Sequence, residues 1–314
     1  MRERIGRIVL FGGGLALTAW LIESAGLDHV MAALREAGPW LPLVLFLEMG
    51  IVATDMFAAR TLLGDAMASV PPVTWVRSAL LAYASTIVLP AGRAAGEAVR
   101  TTALAPAIGF GRATGVCSRL QACVLASNAG ISFVIAAIVF ARGTSRALGL
   151  ALVGNATGCA VLSFVVFAAA SSERVAAWLK ARFPKLAATR DVAPTAAGTA
   201  GNLRATAACL VGRLIEATEY GIALQAVGGH AMPATALTAQ GIHLVGAAAG
   251  DLVPNQMGVT EGAYRLFTQA LGVDVARALS IALIIRIVQL TLTGVCFALA
   301  AGMIRSPRSA ENAR

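Results

Sequence analysis

Leu252-Val253-Pro254-Asn255-Gln256-Met257-Gly258-Val259-Thr260-Glu261-Gly262-Ala263-Tyr264-Arg265 lies in a strongly apolar region, yet it holds a Pro, two Gly, two amides, a Glu and an Arg. Lipid offers no water to satisfy open backbone, so such a break survives only where protein buries it or where it lines a polar cavity. An ionisable side chain at that depth costs about 2.5–3.5 kcal/mol on insertion scales. The stretch therefore reads as a functional site. It has a relative earlier in the chain: Leu89-Pro90-Ala91-Gly92-Arg93-Ala94-Ala95-Gly96-Glu97-Ala98-Val99-Arg100. In both, a Glu follows the Pro by seven residues, and an Arg follows the Glu within one helical turn.

Composition places both stretches in a membrane. The 314 residues are 58% hydrophobic and 13% charged, with mean hydropathy +0.76. A soluble domain is closer to half apolar and a quarter charged. The expected class is all-α and polytopic, with about six spanning helices, two re-entrant hairpins and an inverted-topology repeat. Of 25 basic residues only Lys180 and Lys185 are Lys, and the net charge is +9. These residues mostly flank apolar spans, which is a topology signal. No basic stripe with interleaved aromatics exists, so nucleic acid is not an expected partner. The five Cys (117, 123, 159, 209 and 296) fit no metal or CxxC spacing and read as small packing residues.

Taken in order, Arg2, Arg4 and Arg7 hold the N-terminus in the cytoplasm, and residues 8–22 read as a retained first span. Residues 23–39 are a connection with a short helix over Leu27–Leu34. A helix over 40–62 carries Glu48 and Asp55 on one face. Residues 76–89 and 101–108 are apolar arms too short to cross, around the break at Pro90–Arg100, so 76–108 reads as a re-entrant hairpin. A helix over 113–140 bears Arg119 and Gln121, and Asn128 further in. In the helix over 147–170, Gly154 and Gly158 have the small-xxx-small spacing of close helix contacts. Residues 172–183 read as an interfacial helix and 184–202 as a cytoplasmic linker. The helix over 203–227 carries Arg213, Glu216 and Glu219 at steps that allow pairing. Residues 235–253 and 258–271 form a second pair of short arms, hence a hairpin over 235–271. The helix over 276–303 holds Arg286 and Gln289, and Arg305, Arg308 and Arg314 close the chain in the cytoplasm.

The unit helix, hairpin, helix thus occurs twice in a single transmembrane domain, over 40–140 and 203–303. Counting crossings from a cytoplasmic start brings the first hairpin in from the cytoplasm and the second from outside. The charge count agrees, apart from Arg142 and Arg146. Inverted repeats with broken helices are the architecture of alternating-access transporters.

The two breaks resemble the motifs of a known family. Leu89-Pro90…Gly96-Glu97…Arg100 looks like its first motif, and Pro254…Gly258-Val259-Thr260-Glu261-Gly262 resembles its second, at the right distance from the Arg286 helix. The family is the lysylphosphatidylglycerol synthase transmembrane region, also called flippase-like, which includes hopanoid-associated bacterial members. The resemblance covers essentially the whole chain. Asn255-Gln256 departs from it, standing where the pattern usually has glycines. The resemblance implies an inner-membrane protein that moves, or helps move, lipid between leaflets. Full-length synthases add a soluble aminoacyl-transferase domain. The chain stops at Arg314 without room for one, so lipid aminoacylation is not expected.

The chemistry of the residues is consistent with transport. No P-loop, dinucleotide fingerprint, HExxH or nucleophile constellation is present, and His29, His230 and His243 are isolated. No cofactor, metal or catalytic residue is expected. The candidate substrate contacts are Glu97, Arg100, Arg119, Asn255, Gln256, Glu261, Arg265 and Arg286. The Arg side chains could hold a lipid phosphate bidentately, and Glu97 and Glu261 could bind an amine or carry a coupling proton. The bland reading of each Glu is neutralisation of an Arg, or acceptance of backbone N–H groups at a hairpin tip. Pro90, Gly92, Gly96, Pro254, Gly258 and Gly262 are assigned to hairpin shape. Glu48, Asp55, Glu216 and Glu219 stay open between cavity lining and helix pairing. The favoured substrate is an anionic or zwitterionic membrane lipid. The alternatives are an ion- or proton-coupled transporter of a small polar solute and a non-transporting accessory protein of envelope lipid biogenesis.

Overall fold

The computed structural model describes residues 16–171 and 198–305. The expected interfacial helix over 172–183, most of the linker and the basic tails lie outside the described residues. Every regular element among the described residues is helical. The described residues open in helix over 16–25, labelled α1, and α2 (Leu27–Ala37) leads through a single 3₁₀ turn into α3 (Leu41–Leu63). Then come α4 (Pro72–Val88), α5 (Gly92–Ile108), α6 (Phe110–Arg142) and α7 (Arg146–Ser171). The second half holds α8 (Thr199–Ala226), α9 (Pro233–Gly250), α10 (Val259–Leu266), α11 (Thr268–Leu271) and α12 (Val275–Arg305).

Length separates these helices into two kinds. Four segments are long and apolar enough to cross a membrane: Leu27–Ser69, Phe110–Arg142, Arg146–Ala169 and Val275–Met303. The chain is therefore a multi-pass membrane protein. At 33 residues, α6 is about 50 Å long and exceeds the hydrocarbon thickness. By contrast α4 and α5 have 17 residues each and α9 has 18, short of the 20 or so that a span needs. The 28 residues of α8 are long enough, but Arg213, Glu216 and Glu219 lie in its interior.

Proline and positive-φ residues set the breaks. Pro90 forbids helical backbone at the residue before it, and Leu89 is accordingly extended (φ −87°, ψ 148°). Ala91 then turns the chain in the left-handed region (φ 61°), and α5 starts at once. The break is thus three residues, Leu89 to Ala91, not the eleven expected over Pro90–Arg100. Arg93, Glu97 and Arg100 belong to a helix because nothing after Gly92 opposes one. In the second half, Val253 is extended before Pro254, and Asn255 (φ 54°), Gln256 (φ 52°) and Gly258 (φ 77°) complete the turn. The departure from glycine at 255 and 256 leaves the backbone in the region glycine favours.

Two further boundaries and one helix contact differ from expectation. The short helix after residue 26 runs on to Ala37, since its amphipathic face buries Val30, Ala33 and Ala37. Helix α8 begins at Thr199 rather than 203. The Gly154 and Gly158 pair makes no close helix contact, because a Cβ added at either meets nothing within 4 Å. The tight approach of α6 and α7 is at Gly149, where an added Cβ would lie 2.6 Å from the Phe140 ring.

Packing brings the two halves together. Helix α3 lies on α8, with Gly212 against Thr54 and Gly50 against Ile215, an antiparallel register. Arms α4 and α5 pack on each other, as do α9 and α10. Across the halves, α4 lies on α12 and α9 on α6. Large apolar side chains such as Phe46, Phe57, Phe164 and Leu203 point outward, while Glu48, Arg100, Glu219 and Glu261 are buried. This inversion of the soluble pattern suits a body solvated by lipid.

Candidate functional site

Four polar clusters surround one central cavity. In the first, α5 presents Arg93, Glu97 and Arg100 on one face, at steps of four and three residues. Arg93 and Arg100 each donate to a different oxygen of Asp55 on α3. Both also meet Glu97, at 3.2 and 3.3 Å. Two guanidinium groups and two carboxylates close a neutral ring, which is how Arg100 tolerates 2% exposure.

The second cluster ties the other break to α12. Arg286 reaches Glu261 at 2.7 Å and donates to the Asn255 carbonyl at 2.7 Å. The other Glu261 oxygen accepts the Gly258 N–H at 2.8 Å, the reach-back of a third-position Glu at a helix start. Glu261 is fully buried, so the bland reading of this residue describes its contacts. The third cluster is on α8 and α9. Arg213 pairs with Glu216, Gln240 donates to Glu216 at 2.9 Å and to the Arg213 carbonyl at 2.7 Å, and His243 lies 4.0 Å from Glu216. The fourth holds Glu48, which accepts the Tyr83 hydroxyl at 2.7 Å, beside Glu219. Glu219 thus turns to α3 and does not join the Arg213–Glu216 pair.

The two breaks touch. The Ala91 N–H donates to the Asp251 carbonyl at 2.9 Å, and a Cβ on Gly92 would lie 3.3 Å from the Asp251 carboxyl. Between them and the long helices lies a cavity of about 540 Å³, within the range that holds a small molecule or a headgroup. Asp55, Arg93 and Arg100 line it from the first break's cluster, and Asp251, Asn255, Gln256 and Arg286 from the second. Arg213, Glu216 and His243 line it from α8 and α9, and Gln121, Asn128, Asn155 and Gln289 from the long helices.

Of the eight substrate contacts expected from sequence, Arg100, Asn255, Gln256 and Arg286 line this cavity. Glu97 and Glu261 stand one layer behind, each against an Arg. Arg119 is buried on α6 and is not among the lining residues. Arg265 points the other way, to the Ser24 hydroxyl and over the Trp20 ring of α1 at 5.1 Å. Among the shape residues, Gly92 lines the cavity and Gly96 sits where α4 and α5 approach closest. Gly262 is not sterically required, since an added Cβ meets nothing within 4 Å.

Of the four acids left open between cavity lining and helix pairing, Glu48, Asp55 and Glu216 line the cavity. Arg93, Arg213 and His243 also line it and were not among the expected substrate contacts. Arg93 precedes Glu97 by one helical turn, and that spacing could have found it. Asp55 was paired with Glu48 by spacing but not with α5.

The model of the lysylphosphatidylglycerol synthase TM region matches residues 5–296. The chain belongs to this family. Comparison with curated proteins gives no match. Membership in the lysylphosphatidylglycerol synthase TM region family agrees with an all-helical membrane body and with a role connected to membrane lipid. Both family-like motifs fall at the two breaks that meet beside the cavity.

Proposed function

We propose that this chain is a lipid translocase of the inner membrane, moving an anionic or zwitterionic lipid between leaflets without acting on it as an enzyme. The observation that carries this reading is the headgroup-sized polar cavity, walled by both breaks, inside a body whose outer surface is apolar. A headgroup can be desolvated there against fixed charges while its tails remain in lipid. Every lining Arg is already paired with a carboxylate: Arg93 and Arg100 with Asp55 and Glu97, Arg213 with Glu216, Arg286 with Glu261. Glu48, Glu219 and Asp251 have no ion pair among the described residues. This acidic excess favours the zwitterionic member of the two classes, with phosphate at the Arg edges and an ammonium at the acids.

The packing supports an inverted repeat with two re-entrant hairpins, α4–α5 and α9–α10. Exchange α3, α4, α5 and α6 for α8, α9, α10 and α12. The contact of α4 with α12 becomes that of α9 with α6, α5 on α6 becomes α10 on α12, and α3 on α8 maps onto itself. Such a pseudo-symmetric pair lets one scaffold open to either side in turn. On this reading the expected first span over 8–22, most of which lies outside the described residues, and α8 also cross, giving six crossings and cytoplasmic termini.

The test is translocation of fluorescent lipids in proteoliposomes, comparing the wild type with Glu97→Gln and Glu261→Gln at matched folding and insertion. Movement of a phospholipid by the wild type, lost in either variant, supports the reading. Uptake of a small polar solute with no lipid movement would instead favour the solute transporter.

A further inference from the structure

The hairpin glutamates are each held by arginine, but one pair of buried acids is not. Glu48 on α3 and Glu219 on α8 are 3% and 1% exposed. The antiparallel register of these helices, with Gly212 at Thr54 and Ile215 at Gly50, brings Glu219 opposite Glu48 one turn further on. Their carboxyl groups lie within hydrogen-bond reach of each other.

The surroundings hold no counter-charge for the pair. Tyr83 on α4 donates to Glu48 Oε1. Glu219 Oε1 is buried and has no hydrogen-bond donor. Among the described residues neither acid forms an ion pair, and Arg213, the cation whose charge reaches Glu48, is committed to Glu216. The other titratable groups that face the pair are Glu216 and Tyr220 on α8, Tyr264 on α10 and, beyond Tyr83, Cys296 on α12. None of them supplies a positive charge. Two carboxylates this close in an apolar interior cannot both be ionised. A single proton between them converts the repulsion into a charge-assisted O–H···O⁻ bond, and it supplies the donor that Glu219 lacks.

We infer that Glu48 and Glu219 together hold one exchangeable proton, forming a proton-binding site where the two halves of the molecule meet. Glu48 lines the cavity, so the proton exchanges through cavity water, while Glu219 lies behind it. Because α3 and α8 belong to different halves, a relative movement of the halves separates the two carboxyls. Each then stands alone, and the shared proton is released or retaken. The site makes the proton the cation available to a coupled cycle. Glu97 and Glu261 differ from this pair in that each already sits in an ion pair with arginine.

The test is infrared difference spectroscopy of the full chain reconstituted in lipid, stepped through pH, on the wild type and on Glu48→Gln/Glu219→Gln. The expected result is a protonated-carboxyl C=O band in the wild type at neutral pH, shifted in heavy water, bleached at alkaline pH, and absent from the double variant. Absence of this band from the wild type at neutral pH would overturn the inference, and this arm needs no substitution. An unchanged band in the double variant would also overturn it, by placing the proton elsewhere. The spectrum reads the proton whether or not lipid moves. A band without translocation therefore counts against the lipid reading alone.

Discussion

Replacing Arg286 by Met removes the pin between the second break and α12. Arg286 makes two bonds at 2.7 Å, one to Glu261 and one to the Asn255 carbonyl. Glu261 is fully buried, so the substitution leaves a carboxylate whose one remaining contact is the Gly258 N–H. Stranding one member of a buried pair costs about 3–5 kcal/mol. The lost donor at Asn255 falls on a residue already in the left-handed region, where a non-glycine backbone is held by its surroundings. Adding Glu261→Gln removes the stranded charge while keeping an acceptor for Gly258, so roughly half of the loss should return. The assay is thermal unfolding in detergent of the wild type, the two single variants and the double variant, read as a double-mutant cycle. A strong favourable coupling between positions 261 and 286 is expected. Additive losses, or an Arg286→Met protein as stable as the wild type, would refute the pinning argument.

Further outcomes follow from the same geometry. Gly96→Ala should destabilise by about 1–3 kcal/mol, because its Cβ would lie 2.1 Å from Thr86 Oγ1 and 2.6 Å from the Ala82 carbonyl; Gly262→Ala, with open space around it, should be near neutral in the same melts. Asp55→Asn should cost about 3–5 kcal/mol, since it leaves Arg93 and Arg100 sharing one carboxylate, and limited proteolysis should then open α5 first. Gln256→Gly should keep or raise the melting temperature, because it relieves about 1–2 kcal/mol of left-handed strain, whereas Gln256→Val should lower it.

The fold class was legible because lipid imposes simple rules on composition. Long apolar spans at α6, α7 and α12 can be read by length alone, and a Pro with nearby charge cannot hide among them. The paired Pro-to-Glu spacing located both breaks. It did not show how short they are, because helix resumption at Gly92 depends on a single left-handed residue, Ala91, that sequence does not mark. The site was half legible. Arg100, Asn255, Gln256 and Arg286 stood out as polar groups where lipid forbids them. The Arg213–Glu216 pair was legible in its three-residue step, but His243 joined it only through packing, because α9 must fold against α8 before Gln240 and His243 reach Glu216. Arg265 carried a sequence signal similar to that of Arg100 but turns to α1: it follows its Glu by four residues where Arg100 follows by three, which places it about 100° further round the helix. The contact of Ala91 with Asp251 involves backbone alone and leaves no trace in side-chain pattern.

The central claim is that the cavity between the two breaks is the path of the headgroup. Gly158 on α7 lines that cavity, and a Cβ added there meets nothing within 4 Å. A Gly158→Trp side chain should therefore enter the open space without disturbing the fold. The decisive measurement is lipid translocation in proteoliposomes by Gly158→Trp against the wild type, with melting temperatures compared alongside. The account predicts an unchanged melting temperature and a translocation rate reduced to that of protein-free vesicles. Translocation at the wild-type rate with the indole in place would contradict it.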